Sequence, residues 1–88
     1  MNFQVFLHHK AAESLQKLDK LIRDEIKKKL KELGKQPNTG KRLRYSNFWS
    51  LRAGDFRVIY EIDRAEKRVI VLFIGHRKKV YDDFSRIF

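Results

Sequence analysis

Hydrophobic and polar residues change their rhythm several times along this chain. Phe3, Val5 and Leu7 alternate with Gln4, Phe6 and His8. That predicts an opening strand, because successive strand side chains point to opposite faces. From Lys10 to Leu33 the spacing lengthens: Ala12, Leu15, Leu18, Ile22, Ile26, Leu30 and Leu33 recur at steps of three or four. This is the apolar stripe of an amphipathic helix, with Lys, Glu and Gln on its other side. Drawn as one helix, the stretch would run about 36 Å, too long for so short a chain. We therefore place a break near Asp19, the best N-cap residue available, and read a helical hairpin. Gly34 reads as the residue just past the end of the second helix, and Pro37 as a block to its continuation. Asn38, Thr39 and Gly40 then form a loop.

Three further strand signals follow. In Asn47–Arg52, Trp49 and Leu51 fall on one side and Ser50 and Arg52 on the other. Ala53-Gly54-Asp55 has the composition of a hairpin turn. Phe56–Ile62 puts Phe56, Val58, Tyr60 and Ile62 on a common face. After a polar turn at Asp63–Arg68, Val69–Ile74 is apolar at every position, as a central strand covered on both faces would be. Lys79–Phe88 fits a short helix with Val80, Phe84, Ile87 and Phe88 along one side. The order is strand, helical hairpin, three-strand antiparallel meander and short C-terminal helix: an α+β layout in one domain spanning residues 1–88, with the hairpin packed on one face of the sheet.

Charge changes this picture more than composition does. Hydrophobic residues make up 42% of the chain, enough for a core, but 21 Lys and Arg face 11 Asp and Glu, for a net charge of +10. Such an excess repels itself in the folded state; solubility or a thermophilic surface rich in Lys and Glu are bland readings of it, and a polyanionic partner is the sharper one: nucleic acid, an anionic membrane or an acidic protein. No cysteine is present, which removes disulfides, thiolate metal sites and thiol nucleophiles. No signal peptide is visible, and the longest apolar run, 69–75, is far too short to span a bilayer. A cytoplasmic protein without membrane attachment is expected.

Reactive candidates are therefore cationic, imidazole or phenolic. Lys41, Arg42, Arg44, Arg52 and Arg57 form one cluster, interleaved with Tyr45, Phe48, Trp49 and Phe56. His76, Arg77, Lys78, Lys79 and Tyr81 form a second, at the exit of the apolar strand. Arg52 and Arg57 flank one tight turn and lie close across a hairpin, an arrangement that suits a phosphate. Blander roles exist for each: Arg57 in an ion pair with Glu61 or Asp55, His76 as a strand end, Tyr81 as a half-buried aromatic, Lys78 and Lys79 as a solvated run. The lysines at 27, 28, 29, 31 and 35 have Asp24, Glu25 and Glu32 among them and read as a solvated helix face. His8 and His9, adjacent on a strand, would point to opposite faces, and no metal site is expected.

Two long motifs carry a resemblance. Trp49-Ser-Leu-Arg52-Ala-Gly-Asp-Phe-Arg57-Val-Ile-Tyr60-Glu-Ile and Val71-Leu-Phe-Ile-Gly-His76-Arg77-Lys-Lys-Val-Tyr81 resemble the hallmark segments of the RelE/ParE toxin superfamily. Upstream, Leu15-Gln-Lys-Leu18-Asp-Lys and Leu33-Gly-Lys-Gln-Pro37-Asn-Thr-Gly40 sit where that family has its hairpin and loop. The resemblance spans nearly the whole chain and favours the RelE branch. It implies a RelE-like fold and a type II toxin that cuts messenger RNA on the ribosome and arrests translation. No cofactor or metal is used: the 2′-hydroxyl attacks the adjacent phosphate, leaving a cyclic phosphate and a free 5′-hydroxyl. It implies an acidic cognate antitoxin and a hetero-oligomeric complex with it. Carried over by position, Arg57 and Arg77 would stabilise the phosphorane, Tyr81 would move a proton or stack on a base, and His76 is a second proton-transfer candidate. Arg42, Arg44, Arg52, Lys78 and Lys79 would bind RNA. The best-known bacterial members carry lysines on the strand before the turn, where this chain has Phe48 and Ser50. That leaves the general base open among His76, Tyr81 and a lysine at 78 or 79. Two alternatives stand beside this reading: a ParE-like inhibitor of DNA gyrase without nuclease chemistry, and an inactive basic RNA-binding module.

Overall fold

The computed structural model describes residues 2–88. Strand β1 (Gln4–Leu7) leads into helices α1 (His9–Gln16) and α2 (Lys20–Lys35), then a single 3-10 turn at Pro37–Thr39. Strands β2 (Lys41–Arg42), β3 (Phe48–Ala53), β4 (Phe56–Asp63) and β5 (Arg68–His76) follow, and helix α3 (Val80–Ile87) closes the fold. One sheet runs in the order β1-β5-β4-β3-β2. β1 lies parallel to β5, and every other pairing is antiparallel.

Most of the helical stripe is buried as its periodicity implies: Leu15, Ile26, Leu30 and Leu33 pack against Leu51, Ala53, Val58, Tyr60, Val69, Val71 and Ile74 of the sheet, with Leu18 and Ile22 partly buried beside them. At its start the structure shifts the stripe by one residue, burying Ala11 and leaving Ala12 only partly covered. On the opposite face Ile59, Leu72 and Phe73 pack with Val80 and Phe84 of α3. β5 is thus covered on both sides, as its unbroken apolar run requires. Ile59 pairs with Phe73 and Tyr60 with Val71, so Leu72 is the extra residue of a bulge. The bulge turns both Leu72 and Phe73 toward α3.

The helical hairpin breaks where the sequence suggests, with Asp19 at the N-cap of α2 and its carbonyl accepting from Arg23 N at 2.8 Å. Its carboxylate makes no capping hydrogen bond. Gly34 differs from expectation: it lies inside α2, which runs on to Lys35. The helix needs a glycine there because β1 crosses it. Phe3 N donates to the Gly34 carbonyl at 2.7 Å, and a Cβ at this position would sit 2.9 Å from the Phe3 carbonyl oxygen and 3.3 Å from Val5 Cγ2. His8 and His9 also depart from the strand reading. His8 caps α1, its Nδ1 accepting from Lys10 N at 3.1 Å, and the chain turns into the helix there. The two imidazoles lie side by side, centroids 4.3 Å apart, instead of on opposite faces. Strand β2, only two residues long, has no periodicity to announce it.

Buried Tyr60 fastens the 3-10 turn to the sheet. Its hydroxyl donates to the Pro37 carbonyl at 2.7 Å and accepts from Gly40 N at 3.1 Å, and its ring stacks with Trp49 at 6.2 Å. This clamp sets where β2 begins, and β2 forms one wall of the site described next.

Candidate active site

The face of the sheet that carries α3 also carries the chemistry. Arg52 and Arg57 are direct cross-strand partners, and Ser50 pairs with Ile59. Ser50 and Arg57 are therefore diagonal neighbours on one face, within reach of a long side chain. Arg57 Nη1 donates to Ser50 Oγ at 3.3 Å. From α3, the Tyr81 hydroxyl donates to the same oxygen at 3.1 Å. Ser50 is 2% exposed and, apart from the Tyr60 phenol, is the one buried polar side chain among the described residues. Two donors from separate elements thus converge on a single buried oxygen in the lining of an open cleft.

That cleft, about 660 Å³, is lined by Lys41, Arg42, Leu43, Arg44, Ser50, Arg57 and Tyr81. Four of these side chains are cations and none is acidic. Among the described residues none of the four has an ion-pair partner. Lys41 pairs directly with Ser50 across β2 and β3 and so shares its face. Unneutralised cations gathered around a hollow attract a phosphate more strongly than isolated surface charges do. A mostly apolar hollow between β1 and α2, about 480 Å³, is lined by Phe3, Val5, Leu7, Leu15 and Leu30 together with Lys27, Lys31 and Lys35. None of the residues singled out from the sequence as candidate chemistry lines it.

The residues singled out from sequence divide into two groups. Arg42, Arg44, Arg57 and Tyr81 meet in the cleft. The others do not line it. Arg52 turns back on the hairpin, its Nε donating to the Gly54 carbonyl at 2.9 Å. Arg77 pairs with Asp55, Nε to Oδ1 at 3.5 Å, and its N–H donates to the Asp55 carbonyl at 2.8 Å. Asp55 is thus taken by Arg77 and not by Arg57. His76 pairs with Phe56 in the sheet and its ring meets the Phe56 ring edge at 5.6 Å, on the face that the helical hairpin covers. Its Nδ1 accepts from Lys78 N at 3.2 Å. Lys78 and Lys79 are exposed in the turn before α3. Among the described residues no cluster of His, Asp or Glu could hold a metal ion, and no helix is long and apolar enough to cross a membrane.

Ser50 is the residue that sequence reasoning passed over. Its signal was faint: one small hydroxyl between Trp49 and Leu51, on the side away from the apolar stripe. Its partners come from positions 57 and 81, the second on another element, so its importance appears only in three dimensions.

Residues 5–81 match the family described as the ParE toxin of type II toxin–antitoxin systems, parDE. The chain belongs to the RelE/ParE toxin superfamily. Among solved structures, the toxin–antitoxin complex RelBE2 from Mycobacterium tuberculosis matches with a TM-score of 0.82 and 28% identity, covering 88% of this chain and 100% of that one. A mutant of Escherichia coli toxin RelE in the free state matches with a TM-score of 0.79 and 24% identity, covering both chains completely (100% each). The archaeal RelE–RelB complex from Pyrococcus horikoshii matches at 0.77 and 23%, covering 91% of this chain and 100% of that one. Among curated proteins, none matches this sequence significantly. The toxin therefore has the mixed α+β RelE architecture, with one more short strand than its sequence suggests.

Proposed function

We propose that this toxin is a metal-independent endoribonuclease that cleaves messenger RNA on the ribosome. The convergence of Arg57 and Tyr81 on Ser50, beneath a cleft rimmed by Lys41, Arg42 and Arg44, carries this reading. An oxygen of the scissile phosphate entering the cleft would meet the same two donors that Ser50 Oγ now occupies. Attack by the 2′-hydroxyl forms a bond to phosphorus and breaks the bond to the 5′ oxygen. The attacking hydroxyl loses its proton and the departing oxygen gains one. Arg57 faces the charge that accumulates on the phosphorane, where a preorganised donor has its largest effect. Tyr81, whose hydroxyl points into the same spot, is the group we assign to proton transfer. Arg77 would reach in from the rim by leaving Asp55, since an ion pair this exposed is worth at most about 1 kcal/mol. Lys78 and Lys79, exposed before α3, then serve at the periphery, holding the strand beyond the scissile bond, whereas His76, on the opposite face with Phe56, has no part in the step.

The partner of this toxin is an acidic antitoxin that forms a hetero-oligomer with it, by analogy with the RelE–RelB complexes it is similar to. α3 is the natural target. It rests on the sheet through Val80 and Phe84, leaves Ile87 and Phe88 about half exposed, and holds Tyr81. An antitoxin helix that displaced it would separate Tyr81 from Ser50 and disarm the site.

The match to a ParE family favours a second reading, inhibition of DNA gyrase by binding alone. One pair of assays separates them. Purified toxin added to a translation reaction should fragment the translated transcript, leaving 5′-hydroxyl ends, and should leave gyrase supercoiling untouched. Intact transcripts with arrested gyrase would replace the ribonuclease reading by the ParE one.

A further inference from the structure

The loop between β2 and β3 holds an aromatic ring that the fold does not use. Tyr45 is 98% exposed, and its backbone is left-handed, φ 57°. A residue with a Cβ adopts that conformation only against steric resistance. The loop is nevertheless tied down. Arg42 Nε donates to the Ser46 carbonyl at 3.0 Å and Ser46 Oγ to the Leu43 carbonyl at 2.9 Å. Phe48 N donates to Ser46 Oγ at 3.1 Å, and Leu43 N to the Phe48 carbonyl at 2.8 Å. A rigid, strained loop therefore presents a bare phenol ring to water. Among the described residues that ring has neither an aromatic neighbour nor a hydrogen-bond partner. Its sequence neighbour Arg44 lines the basic cleft.

We propose that Tyr45 is a stacking platform for one unpaired nucleobase of an RNA strand whose backbone runs through the cleft. The inference rests on the ribonuclease reading for its ligand class and adds a base-binding subsite to it. Cations alone grip phosphates and make no distinction between polyanions. A flat aromatic held beside them adds contact with a base face, the combination that binds single strands with little sequence preference. The exposed ring suits such an unstacked base: its apolar faces are free, and the loop that carries it has little left to order on binding.

Two probes separate a base contact from charge: a labelled oligoadenylate and inorganic polyphosphate of matched charge, each titrated against toxin. Tyr45→Gly removes the ring while suiting the left-handed backbone, so it should fold at least as well as wild type. It should weaken oligoadenylate binding on the order of ten- to a hundredfold and leave polyphosphate binding unchanged. Tyr45→Phe should keep wild-type affinity for both. Loss of affinity for both polyanions alike in Tyr45→Gly, or for neither, would overturn the proposal, the second outcome leaving a protein contact as the ring's use. Transcript fragmentation by wild type is measured separately. Intact transcripts with a Tyr45-dependent preference for oligoadenylate would remove the ribonuclease and keep the base-binding subsite. Fragmented transcripts without that preference would do the reverse.

Discussion

At the scale of single residues, the site depends on a few donors whose separation is set by one hydroxyl. Arg57→Ala and Tyr81→Ala should each reduce transcript cleavage by roughly 30- to 1,000-fold, the effect of losing about 2–4 kcal/mol of transition-state stabilisation. Both side chains border the cleft and neither belongs to the core clusters, so thermal unfolding should be nearly unchanged. Full activity in both variants would contradict their assignment. Gly34 tests packing instead of chemistry. Gly34→Ala would drive a methyl against the Phe3 carbonyl at 2.9 Å, backbone that cannot swing aside as a side chain would. The variant should lose about 1–3 kcal/mol by denaturant unfolding, although alanine favours helix over glycine by about 1 kcal/mol. A more stable variant would mean that β1 moves freely over α2.

Tyr60 makes a pH-dependent contribution of its own. Burial raises its hydroxyl pKa above the ordinary value of 10.0, the donation from Gly40 N opposing that only in part. The unfolded chain therefore loses the phenolic proton at lower pH than the folded one. Stability from this group is fully present below about pH 10 and is lost as pH rises toward the folded pKa. Unfolding measured between neutral and strongly alkaline pH should show this decline. Tyr60→Phe should be less stable at neutral pH, having lost both hydrogen bonds to the 3-10 turn, and should decline less steeply. Parallel curves for the two proteins would remove Tyr60 as the source.

Among the elements, α3 stands out because it couples packing to chemistry. Val80 and Phe84 anchor it, the Phe84 ring meets Phe48 edge-on at 5.1 Å, and Tyr81 bonds to Ser50 from the same turn. An eight-residue helix (Val80–Ile87) has little stability of its own, since isolated helices shorter than about 12–15 residues are marginal in water. Its place on the sheet is therefore open to competition from a longer amphipathic partner helix. Hydrogen exchange on free and antitoxin-bound toxin should show the amides of residues 79–88 changing protection sharply on binding. Unchanged protection there, with new protection confined to Arg52 and Arg57, would point to simple covering of the cleft.

Across the whole molecule, charge and the distribution of acidic residues bear on the kind of catalysis proposed. The chain has a net charge of +10, and the cleft lining holds four cations and no carboxylate, while the carboxylates of Asp55 and Asp63 are engaged by Arg77 and Arg68 at other edges of the sheet. Ligands for a divalent ion are missing from the cleft for the same reason. Cleavage should therefore survive chelation under conditions that keep ribosomes intact, checked by mapping 5′ ends with and without chelator. An absolute requirement for a divalent ion in the toxin's own step would sink the metal-free mechanism.

What could be read from the chain was whatever repeats with a short period or sits in a contiguous motif. The helical stripe from Ala12 to Leu33, the alternation from Phe56 to Ile62 and the unbroken apolar run from Val69 onward located most elements, since burial acts on each position locally. The Trp49–Ile62 and Val71–Tyr81 segments likewise carried the family, and with it Arg57 and Tyr81. What only the tertiary structure decided depends on partners far apart in sequence. β2 exists because Gly40 is held by Tyr60 and because Lys41 finds Ser50. Gly34 belongs inside a helix because β1, from the other end of the helical hairpin, crosses it. His8 and His9 meet because the chain turns from strand to helix between them. Ser50 became the meeting point of Arg57 and Tyr81 for the same reason: a hydroxyl has no periodicity to betray it, and its two donors are brought to it by the sheet and α3.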